Sequence, residues 1–403
     1  LTRIPRGYKN YGDPIAAAME NSRKVFIDTF TSSGYKVFSP SSVQLLSIYW
    51  DRLSSAVRDR IITLTTPFGE QGCLCPDLTL SAVSHLSAHH APEERPLRIC
   101  YVGQFYRVPN PPEAGIEHYQ AGAELLGWEG HGADVEILSL MLGALENLGH
   151  EDAVVVLGNA YIIEYLLQKV EPSTGTALSD ALLNGSLPDY FSILENRRVP
   201  EPYLSYLSVL PTLKGDIHVL EQAGLKLPRK VPLSNLQEIA RELSLLGYRD
   251  RLRFDLSLVR GLGYYSGPVF EIYSPRSGKS LGGGGRYDRL LNLYGIVGQA
   301  IGFGLDLELV TSSRSKEEPP FFEGIMAWAG SLTPAEAIKA TKSLKRTGLP
   351  VEPSWTPSRK RSIALAMRRK YRWWTDLSED TLFDLADNTP VTKDRWLEEH
   401  FKC

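Results

Sequence analysis

The segment at residues 260–288, RGLGYYSGPVFEIYSPRSGKSLGGGGRYD, constrains the fold of this chain more than any other stretch. Glycine has no Cβ, so the run at 282–285 lets a neighbouring strand or a ligand come close to the backbone. Residues 269–273 favour a strand, and residues 252–259 alternate apolar and polar side chains as a half-buried strand does. Polar side chains on a sheet face framed by glycines predict one wall of a small-molecule site.

The composition is that of an ordinary globular protein. The 403 residues are 43% hydrophobic and 23% charged, which favours two or three domains. A formal net charge of -3 gives no overall basic surface for nucleic acid. The four cysteines have neither metal-site spacing nor disulfide density, and the chain has no membrane-length apolar run and no signal-peptide core. We therefore expect a cytoplasmic protein.

The first part of the chain carries both helix and strand signals. Asp77 or Thr79 is expected to cap a helix, and alternation at 119–127 places Gln120 and Glu124 on one face of a mostly apolar strand. Two polar groups on such a strand suggest a site. Helices are predicted at residues 13–34, 77–88, 134–148 and 162–167, and strands at residues 35–38, 72–74, 97–103, 119–127 and 153–157.

Residues 171–250 carry helical patterns broken by proline and glycine, and no strand signal. The clearest helix runs over 234–246, with Ser234 and Gln237 as a capping box. A Ser-, Lys-, Glu- and Pro-rich linker at 311–320 precedes a small α/β region, with strands predicted at 324–329 and 362–366 and a helix at 334–346. The predicted domains are a discontinuous core, a helical insertion and a small C-terminal α/β domain, at residues 1–170 with 251–312, 171–250 and 321–403.

Several segments resemble the histidyl-tRNA synthetase family. RGLGYYSGPVFE is similar to its histidine-specific motif, whose usual form has Asp where this chain has Gly263, and GGGGRYDRLL with AIGFGLDLEL resembles its last strand and class II motif 3. The helix, strand and proline at 13–40 resemble motif 1, through which these folds usually dimerise. This resemblance extends over most of residues 1–310 and implies an α+β class II synthetase-like fold with an antiparallel sheet flanked by helices.

The resemblance also implies a histidine pocket. Carboxylates at Asp77 or Glu124 can hold an ammonium group, and tyrosine edges and hydroxyls can frame an imidazole. The alternative is that these are buried polar residues satisfied by one another. The residues that match the family's pocket are Asp77, Thr79, Gln120, Glu124, Arg260, Tyr264, Tyr265 and Tyr287.

The nucleotide side departs from the synthetase pattern. Arg107 keeps the first arginine of motif 2 and could still bind an anion, but Pro109, Ile116 and Leu309 stand where the family has an acid, a basic residue and an arginine. Cys75 likewise replaces the arginine usual before a proline. Adenylate formation needs fixed cations and a metal-holding acid. We therefore predict no catalytic residue and no cofactor.

A histidine pocket beside a dismantled ATP site resembles the regulatory subunits of ATP phosphoribosyltransferase. This resemblance implies a non-catalytic protein, needed by a short-form catalytic subunit at the first step of histidine biosynthesis, with L-histidine as feedback effector. One alternative is a divergent histidyl-tRNA synthetase. Another is a paralogue that binds tRNA through basic residues at 359–372 beside Tyr371, Trp373 and Trp374, although such charge runs are usually surface.

Two further patterns resemble functional motifs but lack a residue that each motif requires. The sequence SGKS at 277–280 ends like a phosphate-binding loop, but Tyr273 occupies the place of the required glycine, so we expect a turn. His85 and His89 have the i, i+4 spacing of zinc ligands, but no third ligand is evident. We predict no metal site.

Overall fold

The computed structural model describes residues 4–90, 94–109, 115–261, 263–276, 278–313 and 321–400. The chain divides into two compact units, Leu1–Ser315 and Lys316–Cys403. Most of the predicted linker at 311–320 lies outside the described residues. No helix of the described part of the chain is long and apolar enough to cross a membrane.

The helices and strands follow one another through both units. The strands are β1 (Lys36–Val37), β2 (Val43–Leu45), β3 (Thr63–Thr65), β4 (Gln71–Leu74), β5 (Leu97–Tyr106), β6 (Glu117–Leu126), β7 (Val154–Asn159), β8 (Lys214–Gly215), β9 (Leu252–Asp255), β10 (Pro268–Ser274), β11 (Lys279–Arg286), β12 (Ala300–Asp306), β13 (Phe322–Trp328), β14 (Val351–Ser354), β15 (Tyr371–Asp376), β16 (Thr381–Asp384) and β17 (Thr389–Thr392). The α-helices are α1 (Ile15–Thr31), α2 (Ser55–Arg58), α3 (Leu78–His89), α4 (His131–Asn147), α5 (Ala160–Leu167), α6 (Pro172–Leu183), α7 (Leu187–Asn196), α8 (Tyr203–Val209), α9 (His218–Lys226), α10 (Ser234–Leu245), α11 (Asp288–Leu293), α12 (Leu307–Ser312), α13 (Pro334–Lys345), α14 (Arg359–Arg368) and α15 (Lys393–His400).

A nine-stranded sheet forms the centre of the first unit. Its order is β1-β5-β6-β12-β11-β10-β7-β9-β8. The strands from β5 to β7 pair antiparallel, whereas β1 pairs parallel with β5 and β9 parallel with β7. A smaller antiparallel sheet has the order β2-β4-β3. The α+β class and the mainly antiparallel sheet agree with the sequence prediction.

The two faces of β6 carry different side chains. Ala121, Ala123 and Leu125 are buried in the main hydrophobic core, where they lie in one cluster with Phe26 and Phe30 of α1. The alternate positions face the other side of the sheet, because successive strand residues point to opposite faces. The predicted alternation is therefore confirmed, and the polar face is left free for a site.

The helical insertion between β7 and β9 packs into the core of the first unit. Buried apolar residues of α6 to α10 belong to the same hydrophobic cluster as those of the sheet. The region also holds β8, a short strand antiparallel to β9, although the sequence predicts no strand there. The expected capping box at Ser234 is wrong, because α10 starts without a side-chain cap. The three-part domain division stays a prediction.

Other helix starts and strand ends also differ from the predictions. Helix α1 begins at Ile15, two residues after the predicted start, with Pro14 at the cap position and no side-chain cap. Helix α4 begins at His131, three residues before the predicted start at Asp134, which lies in its first turn. Strand β9 ends at Asp255, where the carboxylate binds the backbone N–H of Ser257 and begins a turn. Side chains that satisfy local backbone groups end strands in this way.

The second unit has a five-stranded sheet in the order β14-β13-β15-β16-β17. Strands β13, β14 and β15 are parallel, and β16 and β17 complete the sheet antiparallel. The strand predicted at 362–366 is wrong, since these residues lie in α14. Ser358 caps this helix by accepting a hydrogen bond from Arg361 N at 3.4 Å. A short apolar run does not separate helix from strand by its period alone.

Candidate functional site

Three glycines, Gly283, Gly302 and Gly304, lie beneath polar side chains on one face of the central sheet, and we call them the glycine floor. Gly302 of β12 pairs with Glu124 of β6, and Gly304 pairs with Gly283 of β11. A Cβ on Gly302 would lie 1.6 Å from Glu124 Oε2, and one on Gly283 would lie 2.1 Å from Arg260 Nη1. These positions must be glycine because polar side chains cross directly over them.

The Glu124 carboxylate lies at the buried end of this floor and accepts three hydroxyl hydrogen bonds. Thr79 and Tyr101 donate to its Oε1 at 2.7 Å each, and Tyr287 donates to its Oε2 at 2.5 Å. The side chain is fully buried. Burial raises the pKa of Glu124 to about 8, although the hydroxyl donors oppose the rise. Loss of solvation disfavours the ionised form more than the hydroxyls favour it.

Asp77 contacts the first turn of α3 and also residues that follow β5 and β9. Its Oδ1 accepts a hydrogen bond from Leu80 N at 2.8 Å and so caps α3, as the sequence predicts. Its Oδ2 lies 3.3 Å from Arg107 Nη2 and 3.4 Å from the Tyr264 hydroxyl. Burial raises the pKa of Asp77, and the Arg107 guanidinium opposes that rise.

Arg260 leads from β9 into the loop that carries the tyrosines. Its Nη1 lies 3.1 Å from Glu271 Oε1 and donates to Phe270 O at 3.3 Å. Ser54 holds the loop from outside by donating to Gly261 O at 2.8 Å. The arginine is thereby fixed over the glycine floor.

These groups surround a cavity of about 530 Å³. Seven of the eight residues predicted for the histidine pocket line it, and so does Arg107. Glu124 does not line the cavity, because it lies behind the hydroxyls of Thr79 and Tyr287. The predicted residues that line the cavity are Asp77, Thr79, Gln120, Arg260, Tyr264, Tyr265 and Tyr287.

Several residues that line the cavity or contact Glu124 are not predicted from the sequence. Arg60 and Asp306 line the cavity, and so do Leu183 and Asn184 at the end of α6. Tyr101 contributes its hydroxyl to Glu124 from the adjacent strand. Asp306 could have been found, because it continues the same-face series of Gly302 and Gly304 along β12. No sequence pattern indicates that Leu183 and Asn184, at the end of α6, line the cavity.

The four positions expected to depart from the nucleotide pattern, Cys75, Pro109, Ile116 and Leu309, do not line this cavity in the described part of the chain. Leu309 lies in α12 and packs against the main hydrophobic core. Ile116 fills the space beside Gly7, where an added Cβ would lie 2.6 Å from Ile116 Cγ1. Pro109 follows the end of β5.

Among the described residues, neither His85 and His89 nor the residues of the SGKS sequence line the cavity. His85 and His89 stack with ring centroids 4.4 Å apart on the exposed side of α3. The described residues contain no group of three or more His, Cys, Asp or Glu that could hold a metal ion. In the SGKS sequence, Gly278 lies in the turn between β10 and β11, Lys279 and Ser280 begin β11, and Ser277 is outside the described residues.

Comparisons with known proteins identify the family. Residues 7–310 match the family described as histidyl-tRNA synthetase. An ATP phosphoribosyltransferase regulatory subunit from Moorella thermoacetica is 28% identical, with 87% of this chain and 91% of the relative covered. The protein of that name from Pseudomonas fluorescens is 31% identical, with 79% of this chain and 82% of the relative covered.

Solved structures confirm the predicted class II synthetase-like fold. An ATP phosphoribosyltransferase regulatory subunit/histidyl-tRNA synthetase from Bacillus halodurans has a TM-score of 0.81 and 22% identity, covering 93% of this chain and 97% of that one. A histidyl-tRNA synthetase from Nostoc sp. has a TM-score of 0.81 and 17% identity, covering 98% of both chains. The chain therefore belongs to the histidyl-tRNA synthetase family and, within it, to the ATP phosphoribosyltransferase regulatory subunits of histidine biosynthesis.

Proposed function

We propose that this chain is a non-catalytic subunit that binds L-histidine in the cavity and passes feedback inhibition to a short-form ATP phosphoribosyltransferase catalytic subunit. The observation that carries the proposal is the convergence of seven predicted pocket residues around one cavity of about 530 Å³. Histidine biosynthesis is a cytoplasmic process, so we propose that location as well. Coupling of two sites through a subunit interface is the mechanism that feedback requires.

The chemistry of the cavity suits an amino acid with an aromatic side chain. Tyr264, Tyr265 and Tyr287 supply ring edges and hydroxyls for an imidazole. Arg260 supplies a guanidinium, which binds carboxylates through charge-assisted hydrogen bonds. Gly283 makes room for this guanidinium, since an added Cβ would lie 2.1 Å from Arg260 Nη1. These groups match the parts of histidine.

The proposal of a non-catalytic role rests on the missing cations. Leucine at 309 and isoleucine at 116 cannot stabilise the charge that develops on transferring phosphates. The one motif 2 arginine that remains, Arg107, is engaged with Asp77 and with Pro76 O at 2.8 Å. An active synthetase would instead exchange pyrophosphate into ATP when histidine is added, and we expect no exchange.

Self-association through the motif 1 region is a further part of the proposal. Strands β1 and β2 lie at the edges of their sheets. Their exposed apolar side chains are Val37, Val43 and Leu45. Exposed apolar side chains on edge strands favour association. We propose that a second copy of the chain covers them.

The contacts of the basic C-terminal stretch speak against nucleic-acid binding. Arg359, Arg369 and Arg372 each form an ion pair with an acidic side chain of the same unit. Trp373 and Trp374 are buried, so their faces are not available for stacking with bases. No observation favours tRNA binding over the regulatory role.

Reconstitution tests the proposed function. The chain is mixed with the short-form catalytic subunit of the same organism, and phosphoribosyl-ATP formation is followed with and without histidine. We expect activity that requires the mixture and falls as histidine is added. Thr79→Val should weaken the inhibition by roughly tenfold, since it removes a cavity hydroxyl and a donor to Glu124.

A matched control is Thr31→Val, which removes an exposed hydroxyl at the end of α1. It should leave the response to histidine unchanged. Failure of the two chains to co-elute, together with a mixture no more active than the catalytic chain alone, would contradict the regulatory role.

A further inference from the structure

A second cleft in the first unit is separate from the histidine cavity. Its volume is about 540 Å³, and we call it the amide cleft because Asn159, Asn235 and Gln299 line it. One wall is formed by the end of β7, the start of β10 and the end of β11, and another by the turn before α10 and the first two turns of that helix. Among the described residues, this cleft and the histidine cavity have no lining residue in common.

Asn159 supplies buried hydrogen-bond donors at this cleft. The residue is 2% exposed, and its Oδ1 accepts a hydrogen bond from Tyr161 N at 3.0 Å, which caps α5. This bond fixes the orientation of the side-chain amide, because only the oxygen of an amide can accept. The NH2 group of Asn159 has no acceptor among the described residues. A buried donor without a partner costs free energy, and a ligand oxygen in the cleft would remove that cost.

Gln299 adds a second amide whose orientation is fixed. Its Oε1 accepts hydrogen bonds from Gly130 N at 2.9 Å and from Arg286 Nη1 at 2.8 Å. Both bonds go to the oxygen, so the NH2 group remains available, and in the described part of the chain it has no acceptor either. The Arg286 guanidinium is itself paired with Asp134 at 2.8 Å and 3.0 Å. Arg286 therefore orients Gln299 and does not supply an unpaired charge.

Lys230 supplies the charge that the amides lack. It is exposed, it lines the cleft, and it has no acidic partner among the described residues. The Glu238 carboxylate on the same wall lies 3.1 Å from His131 Nδ1, so this acid already has a partner. An unpaired ammonium group beside unpartnered N–H donors favours a ligand that carries an oxyanion, since charge-assisted hydrogen bonds are the strong ones.

The cleft also contains oxygens that can accept hydrogen bonds from a ligand. Asn235 Oδ1 is buried and has no hydrogen-bond partner in the described structure. Asp288 Oδ1 accepts from Ala300 N at 2.8 Å and lies 3.9 Å from Arg286 Nη1, which is too far for a hydrogen bond. A ligand that is only an anion would leave these oxygens unsatisfied and would be repelled by Asp288. Hydroxyl groups on the ligand would instead donate to them.

We propose that the amide cleft binds a sugar phosphate. Lys230 and the amide NH2 groups bind the phosphate, and the sugar hydroxyls donate to Asn235 and Asp288. An inorganic phosphate ion would fill only a small part of a volume of about 540 Å³, which favours the larger molecule. This inference goes beyond the proposed function, because it assigns a second ligand site whose occupation does not require histidine.

Equilibrium dialysis of the full chain with D-ribose 5-phosphate tests the assignment. D-Ribose and inorganic phosphate are measured separately, and we expect each to bind at least about tenfold more weakly than the whole compound, because each makes only part of the contacts. Lys230→Gln removes the unpaired charge at an exposed position. It should weaken the binding of D-ribose 5-phosphate by about tenfold.

Asn159→Asp tests the buried donors. Aspartate keeps an oxygen that can cap α5, but it replaces the NH2 donors with a negative charge that repels phosphate. We expect D-ribose 5-phosphate binding to be lost while the circular dichroism spectrum stays unchanged. The matched control is Lys226→Gln, which removes an exposed lysine at the end of α9 that does not line the cleft. It should leave the affinity unchanged.

The outcomes separate this site from the histidine cavity. The inference is overturned if the full chain does not bind D-ribose 5-phosphate, or if neither Lys230→Gln nor Asn159→Asp weakens the binding. Equal affinities for D-ribose 5-phosphate and inorganic phosphate would overturn the assignment of a sugar. If the chain binds no histidine but binds D-ribose 5-phosphate as expected, the proposed function fails and the amide cleft stands.

Discussion

At the scale of single residues, the burial of Glu124 makes the stability of the fold depend on pH. Its pKa rises from an ordinary value of 4.5 to about 8 because the carboxyl is desolvated. The unfolded chain gives up this proton at lower pH than the folded chain does. The contribution of the Glu124 proton to the free energy of unfolding is therefore fully present below about pH 4.5 and is lost as pH rises through about 8.

We predict that Glu124→Gln removes this pH dependence. The melting temperature of the unchanged chain should fall relative to the variant by several degrees between pH 5 and 8, since the shift corresponds to a free energy on the order of 5 kcal/mol. Thermal unfolding of both proteins across that range measures the difference. A difference that does not change with pH would show that Glu124 has no raised pKa.

Glu136→Gln provides a control of opposite sign. Hydrogen bonding from Arg98 holds the pKa of Glu136 below its ordinary value. Its contribution is therefore present above that ordinary value and is lost only in acid. The difference between this variant and the unchanged chain should stay constant between pH 5 and 8.

Replacement of Gly302 tests whether the glycine floor must lack side chains. Alanine there would place a Cβ 1.6 Å from Glu124 Oε2 and 2.8 Å from Ala123 O, so we predict that Gly302→Ala destabilises the fold by about 3 kcal/mol and abolishes histidine binding. Gly143→Ala in α4 is the matched control, because nothing lies within 4 Å of its added Cβ. It should stabilise the chain by up to about 1 kcal/mol. Urea unfolding distinguishes the two, and equal effects would refute the floor.

The residues that the sequence could identify are those in segments with distinctive local patterns. Thr79, Tyr264 and Tyr287 lie in motifs that stand out, and the cavity brings them together. That Glu124 lies behind two hydroxyls depends on side-chain packing, which strand alternation does not specify. The local pattern does not single out Asp306 as a cavity residue, because a carboxylate at that position is equally expected as the cap of the helix that follows.

At the scale of elements, regular alternation of apolar and polar residues predicted strands correctly, whereas a short apolar run did not. Strand β6 has a clear period of two, and both faces point where the pattern places them. The run at 362–366 is equally apolar, yet it forms part of α14 because Ser358 supplies a cap and alanine favours helix. Tertiary pairing of β8 with β9 had no local signal at all.

Helix α14 carries a buried polar contact that can be tested. Ser362 Oγ accepts a hydrogen bond from Trp374 Nε1 at 2.9 Å and donates to Ser354 Oγ at 2.9 Å. We predict that Ser362→Ala destabilises the second unit by about 1 to 3 kcal/mol, since the fully buried indole N–H loses its partner.

Ser343→Ala is the matched helical control for this contact. Ser343 is exposed on α13, and its hydroxyl donates to Ala340 O of the same helix, so its replacement should change stability by less than about 0.5 kcal/mol. Tryptophan emission during urea unfolding reports the transition, because only Trp50 and Trp128 of the seven tryptophans lie in the first unit. Equal shifts for both variants would mean that the indole contact is not stabilising.

At the scale of the whole molecule, the site is assembled from distant parts of the first unit. Asp77, Gln120, Arg260 and Asp306 are far apart in sequence and meet because β5, β6, β12 and β11 are neighbours in one sheet. All of the cavity residues precede the second unit, which has hydrophobic clusters of its own. The cavity therefore belongs to the first unit alone, and the second unit has its own hydrophobic core.

The division into units leads to the last prediction. A chain that ends at Ser313 keeps every residue of the cavity and the main hydrophobic clusters of the first unit. We expect it to fold and to bind L-histidine within about twofold of the full chain, because the binding groups and their supports are retained. Titration of histidine, with circular dichroism to verify folding, makes the measurement. A folded truncated chain that no longer binds histidine would show that the second unit contributes to the site.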